Sequence, residues 1–302
     1  MTAPTRAGYA ALLGRPNVGK STLLNRLIGQ KISITAPKPQ TTRHAILGIQ
    51  TLPDAQIVYV DTPGLHRHRG RRAMSRYLNR AAASVLGYVD VVVFLIEALR
   101  WTEEDQDVLQ RLAAFPGPVV LAVNKVDRLA DKARLLPFLR DTAGQRAFAE
   151  VVPLSALKGD NAATLEQAIA RLLPVGDFPF PADQVTTASE RFLAAELVRE
   201  KLTRLLREEL PYALTVAIER FAEEKRVTRI HAVIWVERAS QKGIVIGEKG
   251  VTLREVGRQA RQDLERLLGR PVFLETWVKV REGWSDDERA LRSLGYADPV
   301  SF

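Results

Sequence analysis

Residues 14–21 read G-R-P-N-V-G-K-S, and no other stretch narrows the possible folds so far. The run satisfies the phosphate-loop pattern G-x-x-x-x-G-K-[S/T] at each fixed position. A loop of this kind joins a buried strand to a helix. Residues 9–13 form a short apolar run suited to the strand, and residues 21–28 suit a helix whose N-terminus faces an anion. Gly14 and Gly19 admit backbone angles and close approaches that a Cβ blocks. The predicted phosphate cradle therefore comprises Gly14, Arg15, Pro16, Asn17, Val18, Gly19, Lys20, Ser21 and Thr22. Lys20 supplies a point charge at the β- and γ-phosphates, and Ser21 offers its hydroxyl to Mg²⁺.

Three later motifs specify the nucleotide. Asp61 ends an apolar run and opens D-T-P-G, so its carboxylate is placed to reach Mg²⁺, usually through water, and the Gly64 amide to touch the γ-phosphate. Asn124, Lys125 and Asp127 form N-K-x-D after another apolar run. An Asp there accepts from the ring N–H and the exocyclic amine of guanine, a donor pair that adenine lacks. The Lys125 stem can cover the base, and Asn124 can tie its loop to the phosphate loop. Ser155, Ala156 and Leu157 follow a fourth run and offer a backbone amide to the guanine oxygen. Helical stretches near 71–87, 103–114, 131–145 and 162–173 alternate with the strands, which predicts an α/β domain with a mostly parallel sheet. The motifs together predict hydrolysis of GTP to GDP with Mg²⁺.

Leu65 stands where many GTPases carry a glutamine that orients the attacking water. Leucine cannot do so, leaving the catalytic residue unknown and predicting slow intrinsic hydrolysis. The stretch 66–72, H-R-H-R-G-R-R, is open to three readings: a solvated loop, a switch segment meeting an RNA surface, or the source of an arginine acting in cis.

The chain of 302 residues is long enough for two domains, has no cysteine, and carries a net charge of +9. No apolar run is long enough to span a bilayer and no secretory leader is apparent; the need for GTP points to the cytoplasm. The charge excess lies in residues 1–180, with 23 Lys+Arg against 15 Asp+Glu; residues 181–302 hold 21 against 20.

Residues 174–181 contain three prolines, P-V-G-D-F-P-F-P, and neither a helix nor a central strand runs through them. The predicted division is a nucleotide-binding domain at 1–175, a linker at 176–186 and a second domain at 187–302. The second domain opens with a capping-box spacing, Thr187 to Glu190, and a long amphipathic helix at 189–209 that Pro211 ends. Strand patterns follow at 213–221 and 229–236, then Ile246-Gly247-Glu248-Lys249-Gly250, a helix at 251–268 and a strand at 272–280. A G-x-x-G turn opening a helix lets an RNA backbone approach closely. Lys242, Lys249, Arg254, Arg258 and Arg261 add positive potential, the three arginines also being compatible with a merely solvated face. This order matches an α+β KH module of type II. A capping-box spacing from Ser285 to Glu288 predicts a last short helix packed on that module.

A chain with G-R-P-N-V-G-K-S-T, Q-T-T-R, D-T-P-G, N-K-V-D and S-A-L ahead of V-I-G-E-K-G and a terminal G-W-S-D-D-E-R-A-L-R-S-L-G-Y resembles the Era family of bacterial GTPases over essentially its whole length. The resemblance implies a switch that binds the 3′ end of 16S ribosomal RNA and assists maturation of the small (30S) ribosomal subunit. It also implies a cytoplasmic monomer with peripheral association at the inner face of the membrane. Thr42 is then the switch threonine that joins the Mg²⁺ shell only with GTP, and Leu65 agrees with a family that lacks the glutamine. Asn17 matches an asparagine that helps hold K⁺ in related GTPases. Two rival functions stay open: an RNA-binding scaffold whose GTPase is a slow timer, and a membrane signalling GTPase with incidental RNA affinity.

Overall fold

The computed structural model describes residues 4–64 and 73–296. The expectations for Leu65 and for the arginines at 67–72 lie outside these residues.

The apolar run ahead of the phosphate loop becomes β1 (Arg6–Leu13), with Ala10, Ala11 and Leu12 fully enclosed. It lies inside a six-stranded sheet with β2 (Ile46–Thr51), β3 (Ala55–Asp61), β4 (Val91–Glu97), β5 (Val119–Asn124) and β6 (Glu150–Pro153). The order is β2-β3-β1-β4-β5-β6, parallel except for the antiparallel edge strand β2. Strands covered on both faces read as unbroken apolar runs, and every residue of β3 and β5 is buried. One face packs α1 (Lys20–Ile28) and α5 (Ala162–Leu172), through Leu23, Leu24, Leu165 and Ile169. The other packs α2 (Ala73–Ser84), α3 (Glu103–Leu112) and α4 (Leu135–Ala143), through Ala82, Val108, Leu112 and Phe138. Four motifs leave the carboxyl ends of β1, β3, β5 and β6, the end of a doubly wound sheet where ligands gather.

The proline-rich linker is pinned along the sheet edge. Gln56 exchanges hydrogen bonds with the Phe180 backbone (2.8 and 2.9 Å), the Ile49 N–H donates to Val185, and Thr186 Oγ1 donates to the Leu47 carbonyl at 2.6 Å. The outer edge of β2 is thereby covered, which removes an exposed pairing edge.

The second domain runs α6 (Glu190–Leu205), β7 (Leu214–Glu223), β8 (Thr228–Val236), α7 (Ala239–Ile246), α8 (Val251–Leu268) and β9 (Val272–Val280). β8 lies centrally, antiparallel to β7 and parallel to β9. Leu197 and Leu202 of α6 join Val256, Ala260 and Leu264 of α8 over Ile230 and Ile234 of β8. This is the order of a type II KH domain.

Four local expectations change. Ser189, not Thr187, caps α6, its extended backbone letting Oγ accept from the Phe192 N–H at 3.2 Å. The helix stops at Leu205 because Leu206 turns extended, and Pro211 instead opens a short 3₁₀ turn. Asp287 caps the last helix, α9 (Glu288–Ser293), because Ser285 Oγ donates to Glu237. That helix does not pack on the KH module alone. Trp284, Ala290, Leu291 and Tyr296 cluster with Ala73, Met74, Tyr77 and Leu78 of α2, an apolar union that crosses the domains.

Candidate guanine-nucleotide site and nucleic-acid groove

The phosphate loop takes its shape from backbone angles that side chains resist. A Cβ on Gly14 would stand 2.4 Å from the Leu95 carbonyl oxygen, and one on Gly19 2.3 Å from Asn124 Nδ2, with φ at +154° and +108°. Lys20 Nζ donates to the carbonyls of Gly14 and Arg15, each at 3.0 Å, so the loop holds the cation that it would present to a phosphate. Burial pushes the Lys20 ammonium down to about 8, the Asp61 charge opposing it. Arg15 turns away from the loop to Glu97 (2.9 Å) and Asp105 (3.2 Å). Only its backbone, through the carbonyl that accepts from Lys20, stays in the loop.

Ser21, Thr42 and Asp61 converge. Ser21 Oγ donates to Asp61 Oδ2 at 2.6 Å and lies 2.8 Å from Thr42 Oγ1. Ser33, which no motif marks, also donates to Asp61 Oδ2, at 2.8 Å. Burial pushes the Asp61 carboxyl up, and the three hydroxyls and Lys20 pull the other way. Asp61 Oδ1 is buried without a hydrogen-bond partner in the protein. A hard-oxygen cluster with an unsatisfied carboxylate oxygen fits a Mg²⁺ ion, which takes few protein oxygens and keeps waters and phosphates.

At the base end Asn124 is 2 % exposed. Its Nδ2 donates to the Val18 carbonyl at 2.7 Å, while Oδ1 accepts from the N–H groups of Ala156 (2.9 Å) and Lys125 (2.7 Å). Lys125 adopts a left-handed backbone, φ +69°, and pairs with Glu97 at 3.0 Å. Ser155 Oγ donates to Asp127 Oδ1 at 2.6 Å, so Ser155 orients the carboxylate that the sequence assigns to guanine. Leu157 remains exposed at the cleft rim, with Arg26 donating to its carbonyl and to that of Ala156. Pro16, Asn17, Gly19, Lys20, Ser21, Thr22, Thr42, Gly64, Asn124, Lys125, Asp127, Ala156 and Leu157 share one cleft of about 460 Å³, a volume suited to a nucleotide. Asn17, φ +61°, donates to the Pro37 carbonyl at 3.4 Å across its mouth. Sequence reasoning missed Arg204 on this wall. It comes from α6 of the second domain, and nothing in its local sequence separates it from a solvated helix arginine.

On the KH module Gly247 and Gly250 have φ of +74° and +77°, and a Cβ on Gly247 would stand 2.3 Å from Thr252 Oγ1. Lys249 is left-handed as well, φ +50°. Lys242, Glu248 and Lys249 are exposed around the turn. A groove beside it is lined by Gly250, Arg254, Gly257, Arg258, Arg261 and Thr276 among others. Arg258 pairs with Glu255 (2.6 Å) and Arg261 with Glu265 (2.8 Å) along the helix, leaving their charges partly matched. Ile246 turns half inward onto the KH core, while Ile244, 55 % exposed, faces out beside the turn.

The class is a P-loop GTPase joined to a type II KH domain. Residues 9–125 match the family described as 50S ribosome-binding GTPase, and residues 209–285 match the KH domain. GTPase Era of Azotobacter vinelandii is 57% identical over 97% of this chain and 97% of its own. GTPase Era of Pseudomonas putida is 56% identical over 98% of both. A crystal structure of Era in complex with MgGDPNP and nucleotides 1506–1542 of 16S ribosomal RNA covers 97% of this chain and 99% of its own, at 40% identity and a TM-score of 0.93. Aquifex aeolicus Era, as a variant bound to GDP and AlF4⁻, aligns over 97% and 100% at 39% identity with a TM-score of 0.92. The chain belongs to the Era family of GTPases.

Proposed function

We propose that this protein is a GTP-driven switch that binds the 3′ end of 16S ribosomal RNA and assists maturation of the 30S subunit. The observation that carries the reading is the pairing, on one chain, of a complete guanine-nucleotide cleft with a G-x-x-G groove. The relative solved with MgGDPNP and the 16S fragment spans both domains of this chain at 40% identity. In this reading Gly14 to Thr22 and Gly64 cradle the phosphates. Asn124, Lys125, Asp127 and Ser155 to Leu157 form the base site, and Gly247 to Gly250 with Lys242, Arg254, Arg258 and Arg261 receive the RNA backbone. Ser21, Thr42 and Asp61 would hold Mg²⁺, which when bound would neutralise charge on the phosphoryl oxygens. Asn124 holds the phosphate and base loops in register, Asp127 selects guanine, and Lys20 places its ammonium on the β- and γ-phosphates. Asn17 is the residue that would help hold K⁺; equal turnover in sodium and potassium buffers would remove that role. Among the described residues no helix is long and apolar enough to cross a membrane. A cytoplasmic monomer with peripheral membrane contact remains part of the proposal.

The test is fluorescence anisotropy on the 3′-terminal segment of 16S RNA, comparing the GDP form with the GDPNP form. Tighter binding with GDPNP is expected, and by linkage the RNA then tightens GDPNP by the same factor. Equal affinity in both forms would leave two uncoupled modules. The 50S description of the family matched by residues 9–125 defines a second reading. Co-sedimentation with separated subunits decides between them: retention on 50S but not 30S particles refutes the small-subunit assignment.

A further inference from the structure

Segment 31–43 closes the nucleotide cleft, yet much of what holds it comes from the other domain. Glu200 of α6, fully buried, accepts from the Thr35 N–H (3.0 Å) and from Lys31 Nζ (2.6 Å). Arg204 donates to the Thr35 carbonyl at 2.9 and 2.7 Å. Arg43 donates outward to the carbonyls of Leu214 (2.8 Å) and Pro211 (2.9 Å). Between these ends Arg199 is 1 % exposed and grips Glu196, itself 5 % exposed, with two hydrogen bonds of 2.7 and 2.6 Å. Its remaining reach goes to the Thr41 carbonyl.

That choice of acceptor is informative. Burying an ion pair gains little stability over an apolar pair of equal size, so stability alone does not account for it. A carbonyl acceptor fixes backbone, and the backbone it fixes immediately precedes Thr42, whose Oγ1 lies 2.8 Å from Ser21 Oγ beside Asp61. The guanidinium is planar and always charged, and the bidentate pair with Glu196 locks its direction. We infer that Arg199 of the KH module is a positioning residue for GTP hydrolysis, setting Thr42 at the metal cluster through the Thr41 carbonyl. The inference rests on the reading of Thr42 as a ligand of the GTP state. It makes the second domain part of the catalytic site, although its residue never touches the nucleotide.

The experiment uses the full chain in four forms: unmodified, Thr42→Ala, Arg199→Lys and the volume-matched pair Glu196→Gln with Arg199→Met. The paired change avoids stranding a buried carboxylate. Equilibrium binding of fluorescent GDP and GDPNP is measured across a Mg²⁺ titration, beside single-turnover hydrolysis, with thermal unfolding in GDP reporting the fold. The paired variant is expected to lose roughly tenfold in GDPNP affinity and to need more Mg²⁺ for half-maximal GDPNP binding, with GDP affinity unchanged. Arg199→Lys recovers part of the loss, because an ammonium can still donate to Thr41. Equal weakening of GDP and GDPNP would reduce Arg199 to a fold-holding residue and overturn the inference. Loss in Thr42→Ala with none in the Arg199 variants overturns it while sparing the reading of Thr42. An unaffected Thr42→Ala overturns both.

Discussion

Asn124 devotes both ends of its amide to main-chain groups of the phosphate loop, its own loop and the segment at Ala156. Asn124→Ala leaves those groups dry and unpaired, which costs about 1–3 kcal/mol for a buried donor or acceptor. Urea unfolding monitored with GDP is expected to show a loss of that order. Asp127 carries a different burden. Ser155 occupies part of Oδ1, and the rest of the carboxylate is free to accept from a base. Asp127→Asn puts a donor where guanine presents donors, so GTP affinity is expected to fall by roughly a hundredfold or more. Xanthosine diphosphate, with a carbonyl in place of the amine, should then displace fluorescent GDP better than GDP does. Asn124, Asp127, Ser21 and Asp61 were legible because their motifs place one residue type at one chemical task. Ser33 and Arg204 were not, since each reaches the site from a segment whose composition is unremarkable in itself.

Among elements, the parallel strands were the most readable, for a strand buried on both faces has nothing to hide in its pattern. α6 was the least. Its apolar stripe reads from the sequence as an amphipathic helix, yet its polar residues Glu196, Arg199, Glu200 and Lys201 are buried as well. Periodicity reports which face is apolar and cannot report that a second domain covers the polar one. α2 poses a related case. Its first N–H groups are met from afar, Ala73 by Asp286 Oδ1 at 3.0 Å and Met74 by the Ser285 carbonyl at 3.1 Å. Removing such a cap costs about 1 kcal/mol, so Asp286→Ala is expected to lower unfolding stability by that amount in a denaturant titration. His44 stacks on Tyr296 with centroids 4.6 Å apart and meets Phe192 edge-on at 5.3 Å. Burial pushes its imidazole down to about 4. The unfolded chain, whose histidine titrates near 6.5, therefore binds more protons between those values, and stability falls as pH drops from 6.5 toward 4. His44→Phe should flatten that decline, recovering no more than about 3 kcal/mol at its acid end.

On the scale of the whole molecule, the two domains are joined by more than their linker. Buried polar contacts from α6 hold segment 31–43, and an apolar cluster unites α2 with the C-terminal segment. Cutting the chain after residue 186 would expose Met74, Tyr77 and Leu78 of α2 to water. Such a fragment is expected to bind a hydrophobic dye and to unfold at a lower temperature than the full chain in the same GDP concentration. An unchanged midpoint and no dye binding would mean that the cluster contributes nothing to the first domain. The charge excess of residues 1–180 lies outside the domain that carries the G-x-x-G groove. Nucleic-acid affinity is expected to fall as salt rises, the slope shrinking when Lys249 or Arg254 is neutralised.

The contact between Ala73 and Asp286 spans 213 positions of sequence. A chain that emerges from its first residue onward must therefore finish α2 long before the partner of α2 exists. At about 5–20 residues per second the wait is on the order of ten to forty seconds. During that interval the nascent first domain carries the apolar face of α2 uncovered, and only completion of the last helix closes it.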